Sequence, residues 1–285
     1  MRKTLTRAEV RRLLPERPDN SHKGANGRAL LLVGSESYTG AALLSSAAAL
    51  RAGCGILTAA VPGRIKPAFS ALPEACCTPV SDGGTWDRTA NRNAAALLQN
   101  RQAIGIGCGM GYTDDTSLIE AALYTGTPIV IDADALNLIS REKFLLTALH
   151  RRTVLTPHPG EMARLTGKTV GDITADPEKA ATEAAARWNC VVLLKGAVSY
   201  IASPERLIVN ETGNSGLAKG GSGDVLTGLI VGLLAQGMAP FDAACVGAYL
   251  LGTSADDAFD LLGKRMLMAT DVIDAVAGTL NRLSD

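Results

Sequence analysis

Two kinds of segment alternate along the hydrophobic pattern. Short, largely apolar runs recur at Ala29–Val33, Ile56–Val61, Ala103–Gly107, Pro128–Asp132, Thr153–Thr156 and Val191–Leu194. Stretches of helical composition lie between several of them. Ala41–Arg51 is Ala-rich and closed by Gly53 and Gly55, and Pro177–Trp188 reads the same way. A strand that is apolar throughout, with no polar alternation, is buried on both faces. Such strands alternating with helices build a parallel sheet covered on both sides. After Ser199 the pattern changes. Ser199–Ala202 and Arg206–Val209, split by a turn at Pro204, predict a hairpin. Val225, Leu226, Leu229, Ile230, Leu233 and Leu234 recur at helix spacing, so a helix is expected from Asp224 to a stop at Gly237. Two more helices are expected over Pro240–Ala258 and Asp271–Arg282. No repeat, low-complexity tract or linker interrupts the chain. The expectation is one domain over 1–285, with residues 1–22 an N-terminal extension that caps it or packs on a neighbouring subunit.

Composition narrows the function classes. Lys+Arg and Asp+Glu number 28 each. That balance argues against a nucleic-acid footprint, yet it leaves room for a small anion pocket built from backbone N–H groups and one or two cations. The six cysteines are Cys54, Cys76, Cys77, Cys108, Cys190 and Cys245. None forms a CxxC pair, and with three histidines no metal-ligating cluster is visible. They are expected as core thiols in a reducing compartment. The opening MRKTLTRAEVRRLLPERP has no apolar run after its charges, and no uncharged apolar stretch of about 18 residues follows anywhere. A cytoplasmic protein without a membrane span is the expectation.

In an open α/β sheet, ligands bind where strand ends lead into helices. Gly213–Asp224, GNSGLAKGGSGD, carries five glycines directly before the strongest helix. Glycines let backbone approach a ligand, and the helix start adds unpaired N–H groups and partial positive charge. Gly221, Ser222 and Gly223 would form an anion hole. Asp224 would stand beside it as a base for an attacking hydroxyl. The plainer reading of Asp224 is an ordinary helix-start acid, but the glycine density favours the functional one. In TPHPGE (Thr156–Glu161) two prolines stiffen a loop that presents His158. Glu161 would bind substrate or a metal-bound water, or merely serve as a helix-start charge. Lys195-Gly196 ends a strand and suits a nucleotide phosphate, although on composition alone a solvated strand-end lysine is the better reading. Gly34–Ala42 and Gly105–Gly111 are glycine loops without a GxGxxG or GxxxxGK[ST] pattern, which removes the Rossmann and Walker signals. Asp132 and Asp134 would organise Mg²⁺ through water or cap the next helix.

Taken in order, these segments resemble the NAD(P)H-hydrate dehydratase family of the ribokinase-like fold. The resemblance rests on KGANGRALLLVGS, YTGAALLSSAAALRAGCG, GIGCGMG, VIDADALNLI, LTPHPGEMARL, LLKG and GNSGLAKGGSGDVLTGLI, and runs from about residue 23 to the end. It implies a three-layer α/β/α fold with a mostly parallel central sheet. It implies nucleotide-dependent dehydration of S-NAD(P)HX, the C6-hydrated cofactor, back to NAD(P)H. The C6 hydroxyl is phosphorylated, phosphate is then eliminated, and ADP gives AMP. By resemblance Asp224 is the base. Lys195, Gly196, Ala197, Val198, Ser199 and Gly223 contact the nucleotide. Ala42, Gly109, His158, Glu161, Asn214 and Asp224 contact NAD(P)HX, with Ala41 and Gly111 equally plausible neighbours. Mg²⁺ and ADP or ATP are the implied co-reactants. A homotetramer and an NAD(P)H-hydrate epimerase on a separate chain are the implied partners. Ser222 stands where the family usually has Thr, Cys108 where it often has Pro, and Leu217 where Met is common. The alternatives are a vitamin-precursor kinase of the same fold and, further off, a non-catalytic nucleotide-binding protein.

Overall fold

The structure is a computed structural model that describes residues 3–263 and 265–284. Its sheet is built from β1 (Arg28–Leu32), β2 (Ile56–Pro62), β3 (Cys76–Ser81), β4 (Ala103–Ile106), β5 (Ile129–Ile131), β6 (Thr153–Leu155), β7 (Val191–Leu194), β8 (Ser199–Ala202) and β9 (Leu207–Asn210). The spatial order is β3-β2-β1-β4-β5-β6-β7-β8-β9. Pairing is parallel from β3 to β7 and antiparallel from β7 through β9. The order reverses direction between β1 and β4, which opens a crevice at their carboxyl ends.

The helices are α1 (Arg7–Leu13), α2 (Thr39–Arg51), α3 (Arg88–Ala95), α4 (Ser117–Tyr124), α5 (Ala133–Arg141), α6 (Pro159–Thr166), α7 (Val170–Ala175), α8 (Pro177–Trp188), α9 (Ser222–Ala235), α10 (Pro240–Leu262) and α11 (Ala269–Ser284). Strand side chains alternate between two buried faces. Leu31, Val130, Val154 and Leu193 pack with α2, α9 and α10. Leu30, Leu32, Ile104, Ile131 and Leu155 pack with α3 to α8. Both faces are apolar, which is why the strands read as continuous hydrophobic runs. The result is the expected three-layer α/β/α arrangement with a mostly parallel sheet.

Helix α9, whose first turn carries Asp224, is pressed onto α2. A Cβ on Gly228 would lie 2.2 Å from the Ser45 carbonyl oxygen, and one on Gly232 would lie 2.5 Å from that of Ala49. Only glycine allows helix backbones to approach that closely.

Differences from the sequence reading have physical causes. Strand β3 (CCTPVS) is a half-exposed edge strand carrying Pro79, so it gives no apolar run. Cys76 on it is exposed and is not a core thiol, whereas Cys54, Cys108, Cys190 and Cys245 are buried. Helix α10 continues four residues past Ala258, to Leu262, and stops at Gly263, whose φ is +78°. The N-terminal extension covers a sheet edge. Leu5 donates to the Val209 carbonyl (2.8 Å), and Val209 donates to that of Lys3 (3.0 Å). Thr6 and Glu9 then form a reciprocal cap that starts α1, and Val10 is fully buried. No helix among the described residues is long and apolar enough to cross a membrane.

Candidate active site

Helix α9, like α2, α4, α5 and α10, starts without a side-chain cap, but it alone starts on a glycine in the left-handed region. Side chains of Thr6, Asp87, His158, Thr169 and Asp176 cap α1, α3, α6, α7 and α8. The N-cap of α9 is Gly221, at φ +99°, and no side chain caps it. The first-turn N–H groups of Ser222, Gly223 and Asp224 have no acceptor within the helix. Unpaired N–H groups at a helix start beside a glycine loop are the arrangement that suits an anion. A Cβ on Gly221 would lie 2.7 Å from Leu44 Cδ1, so both its space and its backbone angle call for glycine.

Beneath this turn lies a buried charge network. Asp132, at the end of β5, is 1% exposed. Its Oδ1 accepts from Lys195 Nζ at 2.8 Å and its Oδ2 from Thr227 Oγ1 at 3.0 Å. Lys195 ends β7 and also lies 3.9 Å from Glu161 Oε2. Burial alone would lower the Lys195 pKa. The Asp132 and Glu161 charges more than reverse this, so the ammonium stays charged. A Cβ on Gly223 would sit 3.5 Å from Asp132 Oδ2 and 3.6 Å from Lys195 Nζ, so the glycine lies directly over the pair. Burial, and then the neighbouring Asp132 carboxylate, push the Asp224 pKa up to about 6. A carboxylate poised there accepts a proton near neutrality far better than an exposed one.

The TPHPGE loop closes one side. His158 Nδ1 accepts from Gly160 N–H (3.0 Å), and Glu161 Oε2 accepts from His158 N–H (2.8 Å). Burial raises the Glu161 pKa. Burial, and then the Lys195 and Arg164 charges, lower that of His158 and favour the neutral ring. Next to these groups opens a cavity of about 790 Å³. Ser222, Gly223 and Lys195 line its polar end, and Leu217, Leu226, Ala248 and Leu251 line an apolar slot. The slot suits a flat base and the polar end suits phosphates.

The predicted residues fall into two groups that meet at Asp132, Lys195 and Asp224. Lys195, Gly196, Ala197, Ser199, Ser222 and Gly223 line the cavity, and so do Asn214 and His158. Val198 does not face it. Gly109 and Ala42 lie on the other side, at the β1/β4 crevice. A Cβ on Gly109 (φ +62°) would meet Ala41 and Tyr38 at 2.7 Å. Ala42 is wholly buried and its Cβ abuts Gly34, so it has only backbone to offer a ligand, whereas Ala41 is partly exposed. Asn214 is committed to structure. Its Oδ1 caps Gly216 N–H at 2.9 Å, and its Nδ2 donates to Ala255 O (3.1 Å) and Asp256 Oδ1 (2.9 Å). It pins the glycine loop to α10. Sequence reasoning missed the α10 wall and Thr227. The available signal was Gly252 inside a helix. A Cβ there would lie 2.2 Å from Thr212 Oγ1, marking close packing beneath the loop.

A family model described as NAD(P)H-hydrate dehydratase matches residues 29–277. The chain belongs to that family. A bifunctional NAD(P)H-hydrate repair enzyme of Moorella thermoacetica is 41% identical over 290 residues, spanning 100% of this chain and 55% of that protein. The chain thus spans about half the length of this bifunctional relative. The ADP-dependent (S)-NAD(P)H-hydrate dehydratase of Neisseria meningitidis is 37% identical over 277 residues, covering 94% of this chain and 90% of that one. A solved Bacillus subtilis ADP/ATP-dependent NAD(P)H-hydrate dehydratase, co-crystallized with ATP/Mg²⁺, superposes with a TM-score of 0.86 at 34% identity, covering 99% and 98% of the two chains. A solved ribokinase-like superfamily protein of Enterococcus faecalis, 24% identical, shares the fold with a TM-score of 0.85.

Proposed function

We propose that the protein dehydrates S-NAD(P)HX to NAD(P)H at the expense of a nucleotide phosphoryl group. The observation that carries this is the uncapped α9 turn, with a half-buried Asp224 beside it and Lys195 beneath it, in a member of the NAD(P)H-hydrate dehydratase family. Nucleotide phosphates occupy the Ser222–Gly223 end of the cavity, and the base occupies the apolar slot. The hydrated nicotinamide enters from the β1/β4 crevice, past Gly109 and the start of α2. Asp224 takes the C6 hydroxyl proton as the oxygen attacks the terminal phosphorus. The first-turn N–H groups stabilise charge on the transferring phosphoryl. The C6–O bond then breaks, C5 loses a proton, and the C5–C6 double bond returns. ADP thus yields AMP and inorganic phosphate. Mg²⁺ arriving with the nucleotide would be held mainly by phosphate oxygens and water, Glu161 would be the carboxylate available to it, and it would neutralise phosphate charge.

The Neisseria relative is named ADP-dependent and the Bacillus one ADP/ATP-dependent, which supports ADP as the donor. A homotetramer, an epimerase partner and a cytoplasmic location belong to the same proposal. Sedimentation velocity tests the first of them. The deciding experiment mixes purified protein, Mg²⁺, S-NADHX and ADP or ATP, and follows NADH absorbance and phosphate release together. Equal amounts of both establish the reaction. A stable phosphorylated product without NADH would instead make the protein a kinase.

A further inference from the structure

The proposed substrate is a dinucleotide with a pyrophosphate of its own. The residues assigned to it (Ala42, Gly109, His158, Glu161, Asn214 and Asp224) supply no cation, because His158 is held as the neutral ring. Lys195 is engaged by Asp132 and lies at the donor phosphates. Of the other cations near these loops, Arg64 is neutralised by a carboxylate and Arg141 is laid against a ring. Arg64 pairs with Glu36 at 3.1 Å. Arg141 donates to Thr113 O at 2.7 Å and stacks on Tyr112.

Resting on the dehydratase reading, we propose that Arg164 binds the pyrophosphate of the dinucleotide substrate, held ready for it by Asn137. Arg164 lies on α6, just after the His158–Glu161 cap. Its Nε and Nη2 both donate to Asn137 Oδ1, at 3.2 and 2.9 Å. That partner is a neutral amide, so it fixes the guanidinium plane without cancelling its charge. Among the described residues no carboxylate lies within ion-pair distance of Arg164. The free Nη1 lies 3.8 Å from the position of a Cβ on Gly160, so it faces the loop that presents His158. The start of α6 is closed to an anion by the His158 and Glu161 side chains, which leaves the guanidinium as the donor at this rim. A planar fork with one free edge matches phosphate oxygens, and an oriented fork loses less entropy on binding. Because the site is exposed, its charge costs little to maintain and its attraction is screened by salt.

The test is steady-state kinetics with S-NADHX and ADP for the wild type, Arg164→Gln, Arg164→Lys and Asn137→Ala. Arg164→Gln is expected to raise KM for S-NADHX on the order of tenfold, the effect of one lost charge-assisted contact. Its kcat and its KM for ADP should stay near wild type. Arg164→Lys should recover part of the loss, and Asn137→Ala should fall between. An unchanged KM for S-NADHX in Arg164→Gln overturns the inference, and so does an equal rise in KM for ADP. A wild-type protein that binds ADP but does not turn over S-NADHX overturns the dehydratase reading itself, and this assignment with it.

Discussion

Asp224 shows how a common residue type acquires chemistry from its surroundings. Burial and the nearby Asp132 charge raise its pKa to about 6. As a base it must be ionised, so kcat/KM should fall about tenfold per pH unit below roughly pH 6. Asp132→Asn removes the like charge, so the acid limb should move to lower pH. A profile flat from pH 5 to 7 would deny Asp224 that role. Asp224→Asn should keep ADP binding, read by calorimetry, while turnover drops by a factor on the order of 10² or more. Near-normal turnover would reassign the base. Asp224 and the glycines stood out in the sequence because glycine density before a strong helix has few other uses, whereas Lys195 read from composition alone as a solvated strand-end lysine. The Lys195–Asp132–Thr227 network was not. Lys195 and Thr227 lie 63 and 95 positions from Asp132 along the chain, and only the fold brings them together.

At the scale of elements, the strands β1, β2 and β4 to β7 were legible because each is buried on both faces. The short helices α3 to α7 were harder. Helix α3, RTANRNAA, buries only Ala90, Asn91 and Ala94, so its sequence carries little apolar signal. The α2–α9 contact was hidden for a different reason. Gly228 and Gly232 look like weak points in a helix until the partner backbone is seen. Gly228→Ala would place a methyl group 2.2 Å from Ser45 O. The helices would have to separate, at a cost of about 1–3 kcal/mol, and thermal denaturation should show a midpoint lower by several degrees. Gly278→Ala, on the exposed face of α11, is the control. Its Cβ would meet only Arg282 Nη1 at 3.5 Å, and better helix propensity should stabilise the protein by about 0.5–1 kcal/mol. Equal effects of the two changes would refute the close-packing account.

Across the whole molecule, the sheet ends differently on its two sides. Strand β3 ends it with a half-exposed, proline-bearing edge, whereas β9 is covered by Lys3–Leu5. Deleting residues 1–13 should bare the β9 edge and expose the pocket that Val10 fills. The expected results are a lower unfolding temperature and growing light scattering on incubation, as for any unguarded strand edge. A truncated protein as stable and monodisperse as the full chain would show the extension to be dispensable. The α2–α9 contact also has a mechanical meaning. Interlocked backbones do not slide by small steps. The carboxylate on α9 and the loop that enters α2 therefore travel as a single rigid piece. Any breathing that admits substrate or releases product must be taken up elsewhere, by the TPHPGE loop or by the glycine loop hung on α10. On the proposed reading, the distance from Asp224 to the loop entering α2 is thus set once, when the protein folds, and need not be rebuilt in each catalytic cycle.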